Sequence, residues 1–157
     1  MTHDSPDWRQ ERNTKLLEWF GNQSAVDFYV AVSAVCELWD DLTDKDKEIT
    51  QADVDQAFWH ALVTLPNNEF FNTHKSFFVP LILQGINAYK DSVELERGGA
   101  EDRAYALTLR YLGLQLAPMI VTVLRGHDAA RAMSVDFWRW ATKHDKPIEW
   151  INKGENK

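Results

Sequence analysis

The sequence predicts an all-α fold, a single-domain bundle of about six helices spanning residues 1–157. Long segments place apolar residues at helical spacing, and no segment alternates as a half-buried strand would. Glycines and prolines are few, seven and five, and most stand where the periodicity breaks. A chain that is 45% hydrophobic, with seven Trp and eight Phe, can bury a substantial core.

The first helix is expected over about 6–21, started by Ser5 and Pro6, with Trp8, Leu16, Leu17 and Phe20 on its apolar side and Gly21-Asn22 as its stop. Ser24 is the expected cap of the second, which runs to about 43 and is apolar nearly all round. Its Val30, Ala34 and Leu38 are predicted to be fully buried. Thr50 and Asp53 read as a capping box for a third helix over about 51–64, ending before Pro66-Asn67-Asn68. The stretch 68–96 contains Pro80, so a short helix, a break near 76–79 and a new helix from Pro80 are predicted. Gly98-Gly99 then precede a fifth helix over about 100–125, with a kink at Pro118. Gly126 ends it, and Asp128 is the expected cap of a sixth over about 129–144. The tail, about 145–157, is polar except for Ile148, Trp150 and Ile151, which can pin it down.

A net charge of −7 and the lack of a dense Lys/Arg cluster argue against nucleic-acid binding. The single cysteine, Cys36, rules out an intramolecular disulfide, and its apolar setting predicts an inert buried thiol. The polar, acid-bearing start does not resemble a targeting peptide. The longest apolar run, "LGLQLAPMIVTVL", is interrupted by Gln115 and Pro118. The expected location is cytoplasmic.

Residues 37–55, "ELWDDLTDKDKEITQADVD", hold eight acids in nineteen positions directly after the most apolar helix. An EF-hand beginning at Asp44 and continuing through Asp46 and Glu48 fails, because Ile49 stands where the loop's sharp turn needs glycine. A solvated helix end is the simple reading, although carboxylates in a last turn oppose the helix dipole. A divalent-metal site is the alternative. If the helix continues through residue 44, Glu37, Asp40, Asp41 and Asp44 fall on one face. Carboxylates packed so closely repel unless a cation compensates, and oxygen-only ligands select Mg²⁺ or Mn²⁺ over zinc.

The run Asp40-Asp41-Leu42-Thr43-Asp44 has the DDxxD form and resembles the class I isoprenoid (terpenoid) synthases. Those all-α enzymes hold Mg²⁺ on aspartates that grip a substrate diphosphate. A second aspartate motif of the family is matched in degenerate form by "LQGINAYKD", with Gln84, Asn87 and Asp91 in place and Ala88 where an aspartate is usual. The resemblance covers about a third of the chain. It implies Mg (or Mn) on Asp40, Asp41 and Asp44, with Asn87 and Asp91 completing the opposite wall and Gln84 beside the substrate. Periodicity places Gln84, Asn87, Asp91 and Glu94 on one polar stripe. Arg103 and Arg110, seven apart, share a helix face and suit a diphosphate. The expected function is a Mg-dependent enzyme acting on a diphosphate-bearing small molecule, whose metals stabilise the leaving group.

Two other functions compete. One is a non-catalytic small acidic interaction protein of immunity or phage-accessory type, binding a protein partner or forming a homodimer. The aromatic clusters "FWHAL", "FFNTHKSFF" and "DFWRW" suit it, since Trp and Tyr favour interfaces. The other is a HEPN-like ribonuclease, from the R-x4-H spacing of Arg139 and His144. His127-Asp128 resembles a phosphohydrolase dyad but reads more simply as a helix cap, and His60 and His74 read as packed, hydrogen-bonded histidines.

Overall fold

The computed structural model describes residues 6–45 and 47–152; Ser5, Asp46 and the last residues of the tail lie outside them. The chain is helical, with no strand among the described residues, as the all-α expectation required. It divides into two compact units, Met1–Lys75 and Ser76–Lys157, with the division inside one long helix.

The first unit holds α1 (Pro6–Phe20), α2 (Gln23–Asp44), α3 (Gln51–Trp59), a π-helical turn (His60–Thr64) and the opening turns of α4 (Glu69–Leu95). Gly21 reverses the chain at φ +67°, a conformation glycine adopts without penalty. Asn22, not Ser24, caps α2. Its backbone is extended, and its side chain accepts the Ala25 N–H at 2.9 Å. Ser24 instead lies in the first turn and receives α4: its hydroxyl accepts the Phe70 N–H at 3.0 Å, and its carbonyl accepts the Asn68 side-chain amide at 2.8 Å. Phe28 stacks on Phe71 at 5.4 Å and tilts against Phe70 at 5.6 Å, while Phe20 meets Tyr29 edge-on at 5.9 Å. Burial of Tyr29 pushes its phenol up to about 12.

Burial in α2 is confined to its first half, at Ala25, Val26, Phe28, Tyr29 and Ala31. Val30, Ala34 and Leu38, predicted to be fully buried, are half-buried. A helix of 22 residues is about 33 Å long and outreaches the shorter α1 and α3 that pack on it. Thr50 and Asp53 form the predicted capping box. Helix geometry then widens at His60, where the Leu65 N–H reaches the His60 carbonyl at 2.9 Å.

The second unit holds the rest of α4, then α5 (Ala100–Arg110), a 3-10 turn (Tyr111–Gln115), α6 (Leu116–Arg125), α7 (His127–Ala141) and α8 (Pro147–Ile151). Gly126, at φ +88°, turns α6 into α7. The two form a hairpin around the buried Ala117, Ile120, Val121, Ala130, Met133 and Phe137.

Four expectations are corrected here. The break at 76–79 does not occur: α4 runs unbroken through Pro80. Ser76 and Pro80 are both exposed, so water can satisfy the carbonyl that proline leaves without a donor. The fifth predicted helix is interrupted at 111–115, not kinked at Pro118; Pro118 sits in the first turn of α6, where its missing N–H costs little. Asp128 lies inside α7 and makes no side-chain cap. The polar tail forms α8, and Trp150 and Ile151 do anchor it, whereas Ile148 is exposed.

Candidate functional site

α2 does continue through Asp44, so Glu37, Asp40, Asp41 and Asp44 occupy one side of its last two turns. Lys45 ends the helix in the left-handed region, at φ 56°, and its N–H returns to the Asp41 carbonyl at 3.0 Å. Lys47 approaches Asp41 at 3.5 Å. Asp40 and Asp41 are half-buried and Asp44 is exposed. The cluster's field reaches Cys36, which is exposed and not buried as the sequence suggested. Its thiol is nevertheless pushed up, first by desolvation of the sulfur between its neighbours and then by Glu37 and Asp40. The thiol is therefore inert, as expected, with the carboxylates as a contributing cause.

Gln84, Asn87, Asp91 and Glu94 form an exposed stripe on α4, as their spacing predicted. Glu94 pairs with Arg97 at 2.9 Å. The arginines expected to face a diphosphate are engaged inside the second unit. Arg103 donates to the Ile151 carbonyl at 2.6 Å and to the Gly98 carbonyl at 2.7 Å, tying α8 to the start of α5. Arg110 donates to Glu96 at 2.6 Å and lies over the rings of Tyr89, at 5.3 Å, and Trp150, at 5.9 Å. Among the described residues no group of three or more His, Cys, Asp or Glu side chains converges as a metal would require.

The remaining signals take structural places. Arg139 pairs with Asp136 near the end of α7, while His144 lies beyond it, so the R-x4-H residues do not share a helix. His127 and Asp128 are both solvent-facing, 4.0 Å apart. His74 packs on the Phe70 ring at 4.9 Å. His60 meets Thr64 at 3.3 Å through Nδ1, while its buried Nε2 has no hydrogen-bond partner among the described residues. Burial, reinforced by Arg12, lowers its pKa. Residues 100–125 have the length and apolarity of a membrane span by composition, but the 3-10 turn interrupts them.

A different surface stands out. α3 turns its small residue inward and its large ones outward. Ala57 is buried, whereas Phe58, Trp59 and Leu62 are 60%, 63% and 68% exposed. Asp55, Phe58 and Trp59 stand at i, i+3 and i+4 on one side, and Leu62 follows in the π turn. The sequence shows the aromatic density of "FWHAL" but not its direction, because apolar residues occur on both sides of this short helix. No protein family, curated protein or solved structure matches the chain.

Proposed function

We propose that the protein is a non-catalytic interaction protein that binds a protein partner through the outward side of α3. The observation that supports this is the exposure of Phe58, Trp59 and Leu62 together on a well-capped helix. Fully burying a side chain of this kind gains about 1.5–3 kcal/mol, so a solvated cluster of three represents unspent binding energy. Aromatic anchors at i, i+3 and i+4 match the way a helix seats in an apolar groove, and Trp is the commonest centre of such interfaces. The test replaces Trp59 with photo-reactive benzoylphenylalanine and illuminates a lysate of the source cells. A discrete cross-linked product is expected from position 59, lost when Leu62→Ser is added, and absent when the label sits at the exposed polar Gln10. No product from position 59 overturns the reading.

A magnesium-dependent enzyme acting on a diphosphate-bearing molecule is the second reading, and the continuity of α2 through Asp44 favours it. On this reading Asp40, Asp41 and Asp44 hold Mg²⁺ or Mn²⁺. Thermal melts in EDTA and in millimolar MgCl₂ test it. Occupancy at a hundredfold excess over Kd stabilises by about 2.7 kcal/mol, and Asp41→Asn removes most of that gain. Pyrophosphate adds a further shift only when Mg²⁺ is present. Melts that ignore both ligands reduce the cluster to a solvated helix end.

A further inference from the structure

α4 carries a second apolar stripe. Val79, Leu83 and Ile86 are 50%, 56% and 38% exposed, at successive one-turn steps. Lys90 continues the stripe one turn further, is exposed, and makes no ion pair among the described residues. The α3 surface ends in an acid, Asp55, and the α4 surface ends in a base.

The two surfaces also match in spacing. Four residues separate Asp55 from Trp59 and Lys90 from Ile86; seven separate Asp55 from Leu62 and Lys90 from Leu83. At about 1.5 Å per residue, both runs span about 10 Å. Laid antiparallel, the helices bring Asp55 to Lys90, Trp59 to Ile86 and Leu62 to Leu83 in one register. A parallel arrangement sets the charges at opposite ends.

We propose that the partner is a second copy of this chain, with α3 of one copy docking antiparallel on the Val79–Lys90 stripe of the next. This rests on the reading of α3 as a binding surface and names its occupant. The contact joins two different patches, so each copy is both donor and acceptor, and copies add head-to-tail until a ring closes. The acid-base pair fixes register, because like charges there are strongly disfavoured. The area is small, so association is expected to be in the micromolar range.

Sedimentation velocity on the full chain tests the contact. The wild type is expected to show a mass above the monomer that rises with concentration. Trp59→Ser and Leu83→Ser should each be monomeric, with circular dichroism confirming the fold. Mixed together they should form a one-to-one pair and stop there, because each retains one working surface. Lys90→Glu should weaken association at least about tenfold, and adding Asp55→Lys should restore it without touching the apolar residues. Benzoylphenylalanine at position 59 should label residues 79–90 of a second copy.

A wild type that stays monomeric to about millimolar concentration overturns the proposal, as does Leu83→Ser that still associates or a charge swap that fails to rescue. A monomer that cross-links a different protein through position 59 overturns self-pairing and leaves the binding surface intact. No product at position 59 overturns both.

Discussion

Arg110 shows how a single side chain can be committed to the fold. Its side chain is 16% exposed and its partner Glu96 31%, and it lies over Tyr89 and Trp150. Arg110→Ala leaves Glu96 without its close partner and removes the stacked stem, so urea unfolding should show a loss of about 2 kcal/mol. Arg110→Lys should recover only part of it, because a lysine cannot reproduce the flat guanidinium over two rings. His60 gives a pH signature. Burial holds its pKa below the ordinary value, so the unfolded chain binds the proton more readily. Its contribution is intact above about pH 6.5 and is lost as pH falls toward the folded pKa. An NMR titration should place the His60 midpoint below 6.5. Asp53 behaves with the same sign at lower pH, since the Thr50 N–H and hydroxyl favour its charged form. Thr50→Ala should cost about 1 kcal/mol by chemical denaturation.

At the scale of helices, the capping box at Thr50 and the turns at Gly21 and Gly126 were legible in the sequence because their causes are local. Pro80 was misread because proline's cost depends on what surrounds the freed carbonyl, which no neighbouring residue reveals. Pro80→Ala should restore a hydrogen bond to the Ser76 carbonyl. The gain approaches about 3 kcal/mol from helix propensity, reduced by about 0.4–1 kcal/mol because alanine frees the unfolded chain. A urea midpoint that falls would refute this. The acidic face of α2 was read correctly from its spacing, yet the commitments of Arg103 and Arg110 were not, since both depend on α8 and on residues outside their own helix. The direction of α3 was equally hidden. Its buried residue is an alanine, and hydrophobicity alone points the wrong side inward.

For the whole molecule, a net charge of −7 keeps copies apart while short contacts draw them together. Near the sequence pI of about 5.2 that repulsion vanishes and the apolar surfaces remain. Turbidity should therefore peak near this pH. A variant with Phe58→Ser, Trp59→Ser and Leu62→Ser should stay clearer under the same conditions, and equal turbidity would assign the effect to other surfaces. All-α composition was readable from periodicity over the full length. The division within α4 was not, because a continuous helix carries no boundary signal in its residues.

The π turn at His60–Thr64 sets a rule for how chain length can vary. A π turn is an α-helix holding one surplus residue. Deleting the exposed Ala61 would let the backbone close into regular helix, so the change is locally favourable. It would also rotate everything downstream by about 100°, swinging Asn68 off the Ser24 carbonyl that it holds at 2.8 Å. A one-residue deletion here therefore trades a better helix for a lost anchor to α2. The loop 47–50 has no such coupling and should absorb an inserted residue with little effect. Insertions and deletions in this chain are thus governed less by distance from the surface than by whether a helix must deliver a side chain to a fixed angle.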